Sequence, residues 1–169
     1  MNYRVEIDGL RAFAVLVVVF YHAGISFFSG GYIGVDIFFV ISGYLITSII
    51  LNKLDDKNFS ISSFYSRRIK RILPALISVC LFSAITSIFV LNPAQLNEFG
   101  NNLIGAATFL SNIVLLFTQD YFDQAVELNP LIHLWTLSVE EQYYIIIPIL
   151  LSVLYYYNAK NILLYLIGS

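Results

Sequence analysis

The sequence is poor in charge, has no basic excess and holds a single cysteine. Asp, Glu, Lys and Arg make up 12% of its 169 residues, about half of the roughly 25% that is usual in soluble domains. The formal net charge is −2, so no basic surface field indicates nucleic acid as a partner. Cys80 has no second cysteine to pair with, so an intramolecular disulfide is excluded and a small buried hydrophobic role is expected for it.

Apolar residues are abundant instead. They form 59% of the chain, and the mean hydropathy is +0.79. They lie in runs long enough to cross a bilayer, which takes about 20 apolar residues in a helix. We therefore predict an all-α fold, a polytopic transmembrane helix bundle of four to five spans plus the start of another. No small-residue cleavage site follows the first run, so we expect a retained first span rather than a signal peptide.

Turns and polar stretches separate the predicted spans. The clear spans are expected at about 10–28, 33–51, 73–91 and 143–157, and a weaker apolar run covers 103–117. A capped helix start is predicted near Ser60, at the head of a basic segment. The final apolar run at 162–167 is too short to span. Either it lies in the membrane interface or the chain is part of a longer, truncated protein, and we expect the second.

Orientation follows from the short basic loops. Six of the nine Lys and Arg residues lie between the second and third predicted spans, which places that loop and the N-terminus in the cytoplasm. The segment 118–136 has no Lys or Arg, whereas Lys160 follows the next span. This pattern favours an outside location for 118–136 and a re-entrant or interfacial position for 103–117.

Ionisable side chains inside a membrane helix cost about 2.5–3.5 kcal/mol each on insertion scales, so they are candidates for function. Arg11 and His22 lie in the first predicted span. At 100° and 1.5 Å per residue they fall within about 20° of one helix face and about 16 Å apart along the axis. Imidazole exchanges protons near neutral pH, which suits a general base. The alternative is a histidine whose hydrogen bonds are satisfied by a neighbouring helix.

Small and basic residues supply two further candidate sites. Ser42 and Gly43 lie in the second predicted span, where small residues permit close helix approach. The Ser42 hydroxyl is either a nucleophile paired with His22 or a packing group. Arg68 and Arg71 are three residues apart and share a helix face. They suit either a polyphosphate ligand or an anionic lipid surface that fixes the topology.

Paired carboxylates precede the last predicted span. Glu140 and Glu141 suit proton handling or hydroxyl binding, while the aromatic residues around them suit an interfacial belt. Glu140 is the stronger candidate of the two. No metal site is predicted, because His22, His133 and Glu140 lack ligand spacing.

Five sequence blocks in the same order resemble acyltransferase family 3, the polytopic membrane enzymes that O-acylate lipopolysaccharide, peptidoglycan and other surface glycans. The blocks are DGLRA at 8–12 with His22, GVDIFFVISG at 34–43, FY at 64–65 with RIKRILP at 68–74, NPLIHLW at 129–135, and SVEEQYY at 138–144. Their joint occurrence is more specific than any single block. The resemblance makes residues 1–169 the incomplete N-terminal part of a membrane acyltransferase domain.

The resemblance also implies residue roles. His22 is expected to be the catalytic base or acyl-handling residue, with Arg11 as its partner and Glu140 as support for the acceptor or for His22. Arg68 and Arg71 are expected to bind the phosphates of acyl-CoA. The residues expected to line or shape the acyl path are Phe38, Phe39, Ser42 and Gly43.

The implied function is acyl-CoA-dependent transfer of an acyl group, expected to be acetyl, to a hydroxyl of a cell-surface glycan such as lipopolysaccharide O-antigen or peptidoglycan. Acyl-CoA is a donor substrate, and no bound cofactor is expected. The partners are this donor, the glycan acceptor and the lipid bilayer of the bacterial cytoplasmic (inner) membrane, without nucleic acid. The chain is expected to need a missing C-terminal half and to be inactive alone. The alternatives are a proton-coupled transporter or exporter, in which His22 and Glu140 relay protons, and a non-catalytic truncated membrane protein.

Overall fold

The computed structural model describes residues 4–118 and 129–157. The elements are α1 (Val5–His22), a 3-10 turn (Ser26–Phe28), α2 (Ile33–Asp55), α3 (Ile61–Val90), α4 (Pro93–Ala107), α5 (Ser111–Thr118) and α6 (Leu134–Tyr156). These ranges contain no β-strand, which confirms the predicted all-α fold class.

Within residues 4–118 and 129–157, three helices are long and apolar enough to cross a membrane, namely α2, α3 and α6. Helix α1 holds Glu6, Asp8 and Arg11 among its 18 residues and is not one of the three. On α3, large apolar side chains face outward, with Phe82 71% and Phe89 83% exposed. Such exposure is unfavourable in water and favourable in lipid, so the chain is a helical membrane protein.

The chain divides into two compact units, one formed by residues 1–59 and 144–169 and the other by residues 60–143. In the first unit α1 and α2 pack antiparallel, because Gly34 lies against Ala14 while Tyr44 accepts a hydrogen bond from Arg4 at 3.4 Å. A Cβ atom on Gly34 would overlap the Ala14 carbonyl oxygen and lie 2.7 Å from Val18 Cγ2. Only glycine permits this approach of the two helices.

Helix α1 ends at His22, earlier than the predicted end of the first span near residue 28. Gly24 adopts a left-handed φ of +71°. The Gly24 N–H donates to Tyr21 O at 3.0 Å and the Ile25 N–H to Phe20 O at 3.2 Å. This pair of bonds around a left-handed glycine is a common helix C-terminus. It places His22 in the last turn of a helix rather than inside a longer span.

The second unit begins with α3, whose predicted capped start is confirmed. Ser60 precedes the helix and its Oγ accepts a hydrogen bond from the Ser63 N–H at 3.4 Å. The helix continues through Pro74 to Val90, so the basic segment and the third predicted span form one continuous element.

The weaker apolar run at 103–117 is divided between α4 and α5. Phe109 turns the chain between them with a left-handed φ of +56°, and the Leu110 N–H donates to Gly105 O at 2.7 Å. Neither helix has the length of about 20 residues that a span needs. The run is therefore not one continuous span, in agreement with the predicted re-entrant or interfacial alternative.

An apolar cluster forms the core of the second unit. Its buried members are Phe99, Ala106 and Leu131, and the half-buried residues packed against them are Cys80, Ala84, Leu91, Leu103 and Leu134. Helix α6 starts at Leu134 rather than near the predicted residue 143. The two adjacent carboxylates therefore lie inside the first turns of α6 and not in a preceding loop.

Candidate active site

The second unit brings Arg68 of α3 to two consecutive carboxylates of α6. Arg68 Nη2 lies 3.7 Å from Glu140 Oε1, and Arg68 Nε lies 3.6 Å from Glu141 Oε1. The exposed side-chain fractions are 16% for Arg68, 17% for Glu140 and 11% for Glu141. The loss of one charge from such a partly buried group destabilises a protein more than the loss of one charge from an exposed ion pair does. We call these three residues the ion cluster.

The two arginines that were predicted to act together occupy different environments. Arg68 is half-buried with two carboxylates beside it, whereas Arg71 is exposed on the same helix. Arg67 and Lys70 are exposed as well. An anionic ligand can thus approach Arg71 from solution, but at Arg68 it has to replace or accommodate a carboxylate.

Polar contacts also anchor the α6 turns that carry the carboxylates. The Gln142 amide exchanges two hydrogen bonds with the Asn112 amide, Asn112 Nδ2 to Gln142 Oε1 at 3.1 Å and Gln142 Nε2 to Asn112 Oδ1 at 2.9 Å. Gln142 Nε2 also donates to Phe109 O at 2.9 Å. One turn earlier, Ser138 Oγ accepts from the Ser111 N–H at 3.2 Å. These contacts join the start of α5 to α6.

Sequence reasoning missed Gln142 and gave Glu141 too little weight. Glu141 was ranked below Glu140, yet the structure places both beside Arg68. Gln142 was not singled out at all, although a polar amide directly after two carboxylates in a mostly apolar helix is a usable signal. Within the described ranges, no three His, Cys, Asp or Glu side chains are grouped so as to hold a metal ion.

His22 and Arg11 lie on α1, in the first unit. His22 is exposed, and its Nδ1 is 2.9 Å from Val18 O. When Nδ1 donates to that carbonyl, the neutral ring accepts protons at Nε2. The Arg11 guanidinium carbon lies 5.3 Å from the centre of the Phe38 ring, a cation–π contact. Arg11 Nε is buried without a hydrogen-bond partner in the described part of the chain.

The proposed Ser42–His22 pair is not formed. Gly34 of α2 lies beside Val18 of α1. From that level Ser42 is eight residues along α2 and His22 four residues along the antiparallel α1, in opposite directions. At 1.5 Å per residue the two are about 18 Å apart along the helix axes. Ser42 is 5% exposed, so its buried position agrees with the packing alternative.

The structure gives the positions of the other predicted residues but does not test the roles predicted for them. Phe38, Phe39 and Gly43 are half-buried on α2, and an acyl path along them stays a prediction. His22 and Arg11 belong to the first unit, whereas Arg68, Arg71 and Glu140 belong to the second. Their joint action on one substrate also stays a prediction.

Comparison with known proteins places this helical membrane protein in a family. The sequence profile of an acyltransferase domain, that of acyltransferase family 3, matches residues 4–169. The chain belongs to this family, and the resemblance in its sequence blocks is confirmed. No solved structure matches the chain.

Similar proteins occur in Staphylococcus aureus. One is named "Putative O-acetyltransferase SAS0844", from strain MSSA476, and is 42% identical over 156 residues. Another is O-acetyltransferase OatA from strain NCTC 8325 / PS 47, which is 38% identical over 166 residues. The matches cover 91% and 96% of this chain but 26% and 27% of those proteins. The chain thus spans about a quarter of the length of these relatives.

Proposed function

We propose that the complete protein is an acyl-CoA-dependent O-acyltransferase that moves an acyl group, acetyl in the first instance, to a hydroxyl of a cell-envelope glycan such as lipopolysaccharide O-antigen or peptidoglycan. Family membership over residues 4–169 supports acyl transfer, and the relatives' names support acetyl as the group. The ion cluster carries the proposal within this chain. It unites Arg68, Glu140 and Glu141 from two blocks that lie far apart in sequence, in a partly dehydrated site.

The reaction needs a base, a donor site and an acceptor site. The acceptor hydroxyl oxygen attacks the thioester carbonyl carbon, an ester C–O bond forms, and the C–S bond breaks. His22 Nε2 takes the hydroxyl proton and returns it to the departing CoA sulfur, which leaves as the thiol. The Nδ1 contact with Val18 O favours the tautomer that leaves Nε2 as the basic atom. Two further roles follow the family resemblance rather than a contact in the structure. They are Arg11 as the partner of His22, about 16 Å away along α1, and Glu140 as support for the acceptor or for His22.

The donor phosphates bind at the start of α3. Arg71 is exposed there and contacts them directly, and Arg68 joins when a phosphate oxygen takes the place of one carboxylate. The acyl group passes along Phe38, Phe39, Ser42 and Gly43 on α2.

The protein is a multi-pass protein of the bacterial inner membrane with a cytoplasmic N-terminus, as the basic loop 52–72 favours. Its partners are acyl-CoA, the glycan, the bilayer and the part of the protein beyond residue 169.

Transfer of labelled acetyl tests the proposal. Membranes that contain the complete protein or residues 1–169 receive labelled acetyl-CoA and isolated envelope glycan. We expect label on the glycan with the wild-type complete protein and its loss with His22→Ala. Ser26→Ala, an exposed polar residue just after α1, is the matched control and retains transfer. Equal labelling by wild type and His22→Ala at equal amounts of inserted protein contradicts the proposal.

A further inference from the structure

A compact set of polar contacts ties the corner between α4 and α5 to α6, directly beside the ion cluster. Gln142 Nε2 donates to both Phe109 O and Asn112 Oδ1 at 2.9 Å, and Asn112 Nδ2 donates back to Gln142 Oε1 at 3.1 Å. Ser138 Oγ accepts from the Ser111 N–H at 3.2 Å. Ser138 and Gln142 are four residues apart, so both lie on one face of α6 and both meet the start of α5.

The corner itself depends on these contacts. Phe109 has a left-handed φ of +56°, which non-glycine residues adopt rarely and keep only where their surroundings fix them. Its carbonyl oxygen is the acceptor for Gln142 Nε2. The Gln142 side chain therefore bonds both to the turn residue and, through Asn112, to the first turn of α5. The Gln142 amide thus makes three hydrogen bonds, and a rotation of α6 about its axis would break at least one of them.

We propose that Gln142 is a positioning residue that fixes the rotation of α6 so that Glu140 and Glu141 face Arg68. Successive residues on a helix point about 100° apart, so anchoring Gln142 also sets the directions of the two residues before it. A rotation of α6 by 20° would move side chains at a radius of 5–6 Å by about 2 Å. The cluster contacts of 3.6 and 3.7 Å would not survive such a displacement. The effect on transfer rests on the proposed function, whereas the effect on the ion cluster does not.

The first test replaces one amide by an isosteric carboxylate. Gln142→Glu removes both Nε2 donations and sets oxygen against the oxygens of Phe109 and Asn112. The matched control is Gln95→Glu, because the Gln95 side chain accepts the Asn92 N–H at 3.1 Å through Oε1, which a carboxylate also does. We expect Gln142→Glu to lower kcat of the complete protein by about tenfold or more and to raise the donor KM, because Arg68 is also a proposed phosphate ligand. Gln95→Glu should stay within about twofold of wild type. Equal effects of the two substitutions overturn the proposal.

The second test asks whether Gln142 acts through Arg68 and needs no activity. Thermal unfolding midpoints of the complete protein in detergent are measured for Gln142→Glu, Arg68→Gln and the double variant. A positioning role predicts that Gln142→Glu lowers the midpoint less when Arg68 is already absent. A merely structural role predicts that the two shifts add, and additive shifts overturn the proposal. Non-additive shifts in a protein whose wild type transfers no acetyl support the positioning role and contradict the proposed function.

A milder variant covers the case in which Gln142→Glu does not fold. Asn112→Asp removes one donation, from Asn112 Nδ2 to Gln142 Oε1, and leaves the acceptor at Oδ1. It should lower kcat and the unfolding midpoint in the same direction by smaller amounts, and its midpoint shift should again shrink in the Arg68→Gln background. Independence of Asn112→Asp from Arg68 would overturn the proposal.

Discussion

At the scale of single residues, the ion cluster separates two arginines that spacing alone treats as equals. Arg68 has two carboxylates within 3.7 Å in a site where all three side chains are at most 17% exposed, whereas Arg71 is exposed. Removal of one partner from a buried pair costs about 3–5 kcal/mol. Because the three side chains keep some contact with solvent, the cost of removing Arg68 should lie near the lower end of that range.

We therefore expect Arg68→Gln to lower the free energy of unfolding by about 3 kcal/mol, because Glu140 and Glu141 then lose their cation. Arg71→Gln should change it by at most about 0.5 kcal/mol, as is usual for exposed positions. Denaturant unfolding of the protein in mild detergent measures both. A loss at Arg71→Gln as large as that at Arg68→Gln would contradict the assignment of the cluster.

The glycine of the α1–α2 contact gives a second residue-scale prediction. In Gly34→Ala the new methyl group would overlap the backbone oxygen of Ala14, which cannot move aside as a flexible side chain can. Overpacking of this kind costs about 1–3 kcal/mol of folding free energy. We therefore expect Gly34→Ala to lower the thermal unfolding midpoint. Gly30→Ala is the matched control, because a Cβ at Gly30 meets nothing within 4 Å. Indistinguishable midpoints for the two variants would show that the helices do not pack as described.

At the scale of elements, the start of α4 is fixed by a capping box. Asn92 Oδ1 accepts from the Gln95 N–H at 2.9 Å, and Gln95 Oε1 accepts from the Asn92 N–H at 3.1 Å. Loss of a cap costs about 1 kcal/mol, so Asn92→Ala should lower the free energy of unfolding by about that amount. Asn101→Ala, at an exposed position inside the same helix, should not, because alanine favours helix. Amide hydrogen exchange locates the effect. Exchange in the first turn of α4 should become faster in Asn92→Ala and stay unchanged in Asn101→Ala.

The helices were predictable where apolar runs and end signals agree. The second predicted span begins at residue 33, shortly after Gly30 and Gly31, and α2 starts there. For α3 the cap at Ser60 gives the right start, although the apolar run begins only near residue 73. At the end of α1 they disagree, because the apolar residues Ile25, Phe27 and Phe28 continue beyond the left-handed Gly24 that ends the helix. There the left-handed glycine decides where the helix ends, and the continuing apolar residues do not extend it.

The break between α4 and α5 and the ion cluster were not predictable from local sequence. Phe109 carries no turn signature, and its left-handed conformation is held by tertiary contact with Gln142. Arg68 and Glu140 are far apart in the chain, and no spacing rule relates side chains at that separation. Their sequence blocks indicated a family, but only the fold shows which carboxylates the arginine faces.

At the scale of the whole molecule, the exposed apolar helices require a bilayer, and the basic loop indicates which way the chain enters it. Helix α2 has 23 residues. Its length is about 34 Å at 1.5 Å per residue, enough for a hydrocarbon core of about 30 Å. Ser29 precedes it and Asn58 follows it, and both are exposed. Positions 29 and 58 should therefore lie on opposite sides of the membrane.

Single cysteines at these two positions test the orientation. In a Cys80→Ser background, Asn58→Cys should react with a membrane-impermeant maleimide only in inside-out vesicles, because Lys53 and Lys57 favour a cytoplasmic position for that end of α2. Ser29→Cys should react only in right-side-out vesicles, and the background protein should react in neither. Reversed labelling would refute the cytoplasmic N-terminus while keeping α2 as a span. Labelling of both positions from one side would refute the span itself.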